Sequence, residues 1–381
     1  MRIMIIHNTN PRTFGDSIRV NEIKLKLRTS GFEVVELRLP LIVRFDLLSP
    51  RNSKNIFMAF FYLNRTIRSR QYFSISNLSN ALIDSISFGF LHKQILRIKP
   101  NVILAETSAV GFIASIIAKE HGITCITDMH GLTFAEAIGL KRKNWQETFY
   151  RDVRALQRSD RVIVVSKKMK DYINSKWAIP ISKIIVIPNG TNPQQHIASY
   201  SFPLHVIYAG GFAYWEKIDD FIEIARHADK NKFKFFLAGD GPLRDKILET
   251  IKKENIPITY LGHIPNKKIF SILSRMQIGV APSTRDLARQ VASPVKIYDY
   301  LAAGLPVITP NIGDWGNLII NKNCGVALDD DSIQEYLNAL DLMTIREFWN
   351  KKASNAIEAV TSECSWDKAL RPLVDCLLKN Y

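Results

Sequence analysis

Two successive series of short apolar runs, each run separated from the next by a turn or a helix-length stretch, constrain this chain more than any other feature. Strand-like runs fall at residues 2–6, 33–37, 102–105, 124–128, 161–165 and 184–187, and again at 205–209, 233–238, 258–261, 278–281, 306–308 and 326–328. Helical patterns fill most of the gaps, notably 18–30, where Gly31 is the stop signal. Alternation of this kind predicts parallel sheets with crossover helices. At 381 residues the chain exceeds what one core supports. The expectation is therefore an α/β protein of two doubly wound units whose strand ends face a shared cleft. The turn-rich, nearly uncharged stretch 189–203 is the natural link, giving units 1–195 and 196–365, with a helical tail 366–381 packed across the junction.

Charge divides the chain as sharply as its pattern does. Residues 1–200 carry 29 Lys and Arg against 14 Asp and Glu, whereas the remainder carries 22 of each, so the whole net charge of +15 lies in the first half. A basic first unit favours an anionic lipid surface, nucleic acid or a phosphorylated acceptor. No run approaches the roughly 20 apolar residues that cross a bilayer, and residues 1–6 read as a buried first strand rather than a leader, which gives a cytoplasmic expectation. The apolar stretch 56–63, flanked by Arg51, Lys54, Arg65, Arg68 and Arg70, is either a buried helix or a surface for anionic headgroups. The four cysteines are scattered, which gives neither a disulfide framework nor a metal knuckle.

Several short motifs have chemical meaning. Lys296 and Asp299 lie three apart on a short predicted helix that stops at Gly304; the cation can neutralise a diphosphate and the carboxylate can accept from ribose hydroxyls, or the two form an ordinary helical ion pair. The turn Ala209-Gly210-Gly211 leads to Lys217 at the start of a helix, a poor place for a cation unless an anion joins it. In Gly239-Asp240-Gly241-Pro242, Pro242 occupies an expected first helical position, and the missing third glycine argues against a nicotinamide cofactor. His130 follows a strand end and can position a hydroxyl or carry a proton, or is plain loop polarity. The polar loop 7–16, with Gly15, can approach a phosphate.

Taken in order, these residues resemble glycosyltransferase family 4, the retaining nucleotide-sugar transferases of GT-B architecture. The resemblance is carried by Tyr208-Ala209-Gly210-Gly211 with Glu216-Lys217, by Leu237 to Pro242, Tyr260-Leu261-Gly262 and Ala281-Pro282-Ser283, and by Pro294 to Tyr300 with Gly304-Leu305-Pro306-Val307. It implies two Rossmann-like domains and a nucleoside-diphosphate sugar as donor substrate, with no metal and no further cofactor. It implies that Lys217 meets the diphosphate, that Asp299 holds the ribose, and that His130 lies near the transferred sugar. It extends the donor-binding set to Gly15, Gly211, Gly241, His263 and Lys296. Phe212 stands where an arginine is usual, so Arg285, Arg289 or Lys296 has to supply that charge, and Val291 stands where the first of a glutamate pair is usual. Phe212 to Trp215 are expected to line the donor pocket.

The expected function is retaining transfer of a sugar to a glycan or lipid-phosphate-linked acceptor in polysaccharide or glycolipid synthesis, at the inner face of the membrane. The alternatives are a non-catalytic sugar-nucleotide-binding protein, which Phe212 and Val291 allow, and a nucleic-acid-binding protein, for which no recognised motif is present.

Overall fold

The computed structural model describes residues 1–7, 14–39, 76–143 and 145–380. The first sheet comprises β1 Arg2–His7, β2 Glu33–Arg38, β3 Val102–Glu106, β4 Thr124–Met129, β5 Arg161–Val164 and β6 Ile184–Val186, in the order β2-β1-β3-β4-β5-β6. The second comprises β7 Leu204–Gly211, β8 Phe233–Asp240, β9 Ile258–Gly262, β10 Ile278–Val280, β11 Val307–Pro310 and β12 Gly325–Leu328, in the order β12-β11-β10-β7-β8-β9. Every pairing is parallel. All twelve predicted strands are present, with ends shifted by at most two residues.

Parallel strands covered by helices on both faces bury both sets of side chains. In β1, Met4 and Ile6 enter one core with Phe112 and Ile113, whereas Ile3 and Ile5 enter the opposite core with Val20 and Ile23. Strand order reverses between β1 and β3 in the first sheet and between β7 and β10 in the second. Beyond the carboxyl ends of strands at such a reversal lies the crevice in which α/β folds bind ligands.

Two local expectations change. The first helix is Phe14–Thr29, so Gly15 sits in its opening turn rather than ahead of it. The helix after β8 is Arg244–Lys253, and Pro242 lies outside it. There the Leu243 amide donates to the Phe212 carbonyl at 3.1 Å, and a turn through Gly241 delays the helix. The basic and apolar stretch 51–73 lies outside the described residues. Among the described residues, no helix is long and apolar enough to cross a membrane.

Between β6 and β7 the linker meets the returning chain. Thr191 forms a parallel bridge with Ser365, and Gly190 packs so closely that a Cβ there would lie 3.0 Å from the Cys364 carbonyl. The chain then makes two helices, Trp366–Ala369 and Arg371–Asn380, and Trp366, Leu373 and Leu377 on them, with Leu370 between them, enter the core that holds Ile3 and Ile5. The last segment thus completes the first unit. Leu373→Ala is expected to destabilise that unit by about 2–5 kcal/mol, read as a lower unfolding midpoint, while an exposed change such as Lys379→Ala leaves the midpoint in place.

Candidate active site

β7 ends in Gly210-Gly211 and β8 carries Gly239 just before its last residue because these strand ends have to touch. A Cβ on Gly239, whose φ is +141°, would lie 1.8 Å from the Gly210 carbonyl oxygen. A Cβ on Gly210 would lie 2.7 Å from the Lys296 ammonium. That ammonium, on the helix Val295–Ala302, donates to the Tyr208 hydroxyl at 2.7 Å, pairs with the Glu216 carboxylate and stands 4.2 Å from the centre of the Tyr208 ring. Burial pushes the Lys296 pKa below its ordinary value, against the pull of Glu216. Burial also opposes the Glu216 charge, but Lys296 and Arg289 outweigh it and hold that carboxyl low. Lys296 therefore pairs with Glu216 rather than forming the helical pair with Asp299.

A cavity of about 260 Å³ opens here, at the reversal point of the second sheet. Gly210, Gly211, Asp240, Arg289, Lys296 and Asp299 line its polar side, and Ile264, Ile269 and Leu273 its apolar side. The Asp299 carboxyl accepts from the Thr191 hydroxyl at 3.4 Å, and burial pushes its pKa up to about 7.

A second cavity, of about 300 Å³, lies between the units, with Arg19, His130, Glu136, Asn189 and Trp215 in its wall. Arg289, Pro294 and Val295 belong to both cavities. Behind His130 is a buried charge network. The Arg19 guanidinium donates to both oxygens of Asp128, at 2.7 and 3.0 Å, and reaches the Pro188 carbonyl and the Asn189 side chain at 3.3 Å. Burial works against the Asp128 charge, yet Arg19 and His130 outweigh it and hold the carboxyl at about 2. His130 Nε2 lies 2.8 Å from Glu106 and 3.4 Å from Asp128. Burial, then the Asp128 charge, raises the Glu106 pKa against the opposing pull of His130. Next to Glu106, Thr107 holds φ +76° and ψ 152°, a conformation that costs a β-branched residue about 1–3 kcal/mol and that such sites retain. Ligand atoms of Glu106, Asp128 and His130 lie within 4.8 Å of one another, but the Arg19 guanidinium already occupies both Asp128 oxygens.

The other residues singled out in the sequence are placed as follows. Lys217 has left-handed backbone and caps the helix Ile218–His227; its ammonium rests on Asp220 at 2.6 Å and Asp331 at 3.4 Å, outside the residues that line either cavity. Burial opposes its charge, but Asp220 and Asp331 raise its pKa. Arg285 is turned to Asp331 at 3.1 Å and to the Leu328 and Asp329 carbonyls. Phe212, expected in the donor pocket, does not line the first cavity: it is fully buried, its ring against Tyr208 and Tyr260, because the chain's alternation aims it into the core. Val291 is buried, and its carbonyl accepts from the Ser166 hydroxyl at 2.6 Å. Gly241 fits against the Phe212 backbone, and His263 is exposed beside the cavity residue Ile264. Sequence reasoning missed Arg19, Glu106 and Asp128, and it held Glu216 only as part of a motif, without its role as the partner of Lys296. The available signal was a carboxylate closing or interrupting an apolar strand, as Glu106 and Asp128 do.

The family described as "Glycosyltransferase Family 4" matches residues 28–195, and "Glycosyl transferases group 1" matches residues 203–344. The chain is a GT-B glycosyltransferase of family 4. It is 23% identical over 283 residues to a glycogen synthase of Mycobacterium tuberculosis, an alignment that covers 70% of this chain and 66%, just under two thirds, of that relative. It is 23% identical to the UDP-Gal:alpha-D-GlcNAc-diphosphoundecaprenol alpha-1,3-galactosyltransferase of Escherichia coli, across 77% of this chain and 79% of that one. Among solved structures, the sucrose-phosphate synthase of Thermosynechococcus elongatus superposes with a TM-score of 0.75 at 16% identity, covering 100% of this chain and 98% of its own. At that identity the likeness is one of fold.

Two outcomes follow for the family 4 chain. Asp299 keeps its proton in the fold up to a pH of about 7, whereas in the unfolded chain it loses it near 4. The folded form therefore binds the extra proton between those values, and stability falls as pH rises through them. Asp299→Asn is expected to flatten this decline in thermal melts between pH 4 and 8 while weakening donor binding. Arg19→Met, which strands a buried carboxylate, is expected to cost about 3–5 kcal/mol. Adding Asp128→Asn should recover much of that loss, as chemical denaturation of the single and double variants will read.

Proposed function

We propose that the transferase moves a sugar from a nucleoside-diphosphate sugar to a glycan or lipid-phosphate-linked acceptor, with retention of configuration at the anomeric carbon. The observation that carries this reading is the pair of adjoining cavities with Arg289 in their shared wall. The first has the shape and donors for a nucleotide: an apolar side for the base, Asp299 for ribose hydroxyls, and Lys296 with the Gly210-Gly211 backbone for phosphate. The second contains His130 and is where the transferred sugar and the acceptor would meet.

In the reaction the bond from the anomeric carbon to the diphosphate oxygen breaks, and the acceptor oxygen bonds to that carbon on the same face. The acceptor proton passes to the departing diphosphate. Negative charge grows on the diphosphate as the bond breaks, so cations held in place before the reaction supply most of the catalysis. Arg289 takes the part that Phe212 forfeits, since Arg285 is committed to Asp331 and nearby carbonyls. Lys217 joins by exchanging Asp220 for a donor phosphate oxygen. His130, steadied by Glu106 and Asp128, orients the sugar. A lipid-linked acceptor agrees with the basic first unit, and the relative from Escherichia coli carries a diphosphoundecaprenol acceptor in its name. The transferase then works in the cytoplasm, at the inner face of the membrane.

Calorimetry against a panel of sugar nucleotides names the donor, and binding by none of them overturns the reading. With the donor in hand, Arg289→Ala and Lys217→Ala are each expected to lower kcat by about 10²–10³, with the fold intact by circular dichroism. Arg285→Ala should have a smaller effect on turnover.

A further inference from the structure

We infer that the helix pair Thr133–Gly139 and Trp145–Arg158 is the face by which the transferase docks on an anionic lipid surface. Four large apolar side chains here are left to solvent within twelve residues: Ile138 is 48% exposed, Leu140 41%, and Trp145 and Phe149 36% each. They form one stripe. Ile138 lies one helical turn after Phe134, and Trp145 one turn before Phe149, and the rings of Phe134 and Phe149 meet edge to face at 5.2 Å. The two helices therefore pack against each other through this ring pair.

Charge says what covers this stripe. Lys141, Arg142 and Lys143 stand exposed in the turn between the helices, held there by amide bonds from Lys141 to Ile138 and from Arg142 to Ala137, both 2.8 Å. The arginines of the second helix are turned elsewhere, Arg151 and Arg158 over the buried Phe112 ring at 5.6 and 5.2 Å and Arg154 over Tyr150 at 5.4 Å, so the turn carries the basic charge of this face. The three acids of the stretch do not offset it outward: Asp152 is buried and accepts from Ser108 and the Phe134 amide, Glu147 faces Arg151, and Glu136 lines the second cavity. Tryptophan, phenylalanine and aliphatic side chains beside lysines and arginines suit the headgroup layer, where rings and aliphatic stems enter the apolar side and charges meet anionic lipid. The location is also productive. Gly139 lies so close to the second unit that a Cβ would fall 1.5 Å from the Tyr214 hydroxyl, so this face borders the mouth of the cleft. An acceptor anchored in the bilayer would arrive beside the cavity that contains His130. This inference rests on the proposed lipid-linked acceptor and assigns the surface that meets it.

The test is cosedimentation of the full chain with vesicles of phosphatidylcholine alone or with about 30% phosphatidylglycerol, which supplies net negative charge. The wild type is expected to sediment with the anionic vesicles, less so at high salt, and to stay in solution with the neutral ones. Trp145→Ser with Phe149→Ser, and separately Lys141→Glu with Arg142→Glu, should each weaken partition at least tenfold. Donor affinity by calorimetry should stay at the wild-type value in both pairs, and so should the thermal midpoint of the Lys141→Glu, Arg142→Glu pair, whereas loss of the Phe149 ring contacts with Phe134 and Trp177 lowers the midpoint of the other pair. Variants that sediment like the wild type, or a wild type that ignores anionic vesicles, overturn the inference. So does loss of a dimer in sedimentation velocity without loss of vesicle binding, which would assign the face to a second copy. Absence of donor binding alongside intact partition would fell the functional reading and leave the docking surface in place.

Discussion

The buried pair of Arg19 and Asp128 is the constraint on which the cleft side of the first unit rests. One guanidinium, with almost no exposure, joins the first helix to β4 and to the Pro188 and Asn189 positions where the chain leaves its first sheet. A pair this deep costs desolvation that its attraction recovers only through full hydrogen bonding. Here both carboxylate oxygens and all three guanidinium nitrogens find partners within the fold. What the arrangement secures is geometry. It fixes Asp128 as an anion next to His130, whose Nε2 has the carboxyl groups of both Asp128 and Glu106 beside it where the ring enters the cleft.

On the opposite wall, the second unit solves a different problem: how to keep several cations close together without an anion present. Lys296 is neutralised by Glu216, Lys217 by Asp220 and Asp331, and Arg285 by Asp331. Arg289 donates to the Ser283 hydroxyl and lies near the Trp315 ring, partners without formal charge. Among these four basic residues it is therefore the one whose charge is least compensated by a direct carboxylate partner. It lies in the wall common to both cavities, the position at which the proposed donor diphosphate would add two negative charges.

Much of the fold was legible in the sequence, because parallel strands between helical layers are written as uninterrupted apolar runs, and all twelve were visible. The helix with Lys296 and Asp299 was legible for the same reason, ended by Gly304 with its φ of +74°. Partnerships were not. Asp128 lies 109 residues from Arg19, and Asp331 lies 114 from Lys217, separations at which no local spacing signals contact. Phe212 shows a second limit: adjacency to a glycine turn suggests a site, but which way a side chain points is decided by the pleat and by the Tyr208 and Tyr260 rings waiting in the core. Pro242 shows a third, since the Phe212 carbonyl draws in the Leu243 amide and postpones a helix that local preference would have begun earlier.

The bridge between Thr191 and Ser365 has a mechanical meaning. The polypeptide passes between its two lobes twice, outward at Thr191 and homeward at Ser365, and these passages are stitched side by side. Two adjacent tethers leave a rotation about the line they define as the least obstructed relative movement, whereas twisting or sliding would tear the stitch. Asp299 accepts from the hydroxyl of that same Thr191, so a carboxylate of the first cavity sits practically on the pivot, where swinging displaces it least.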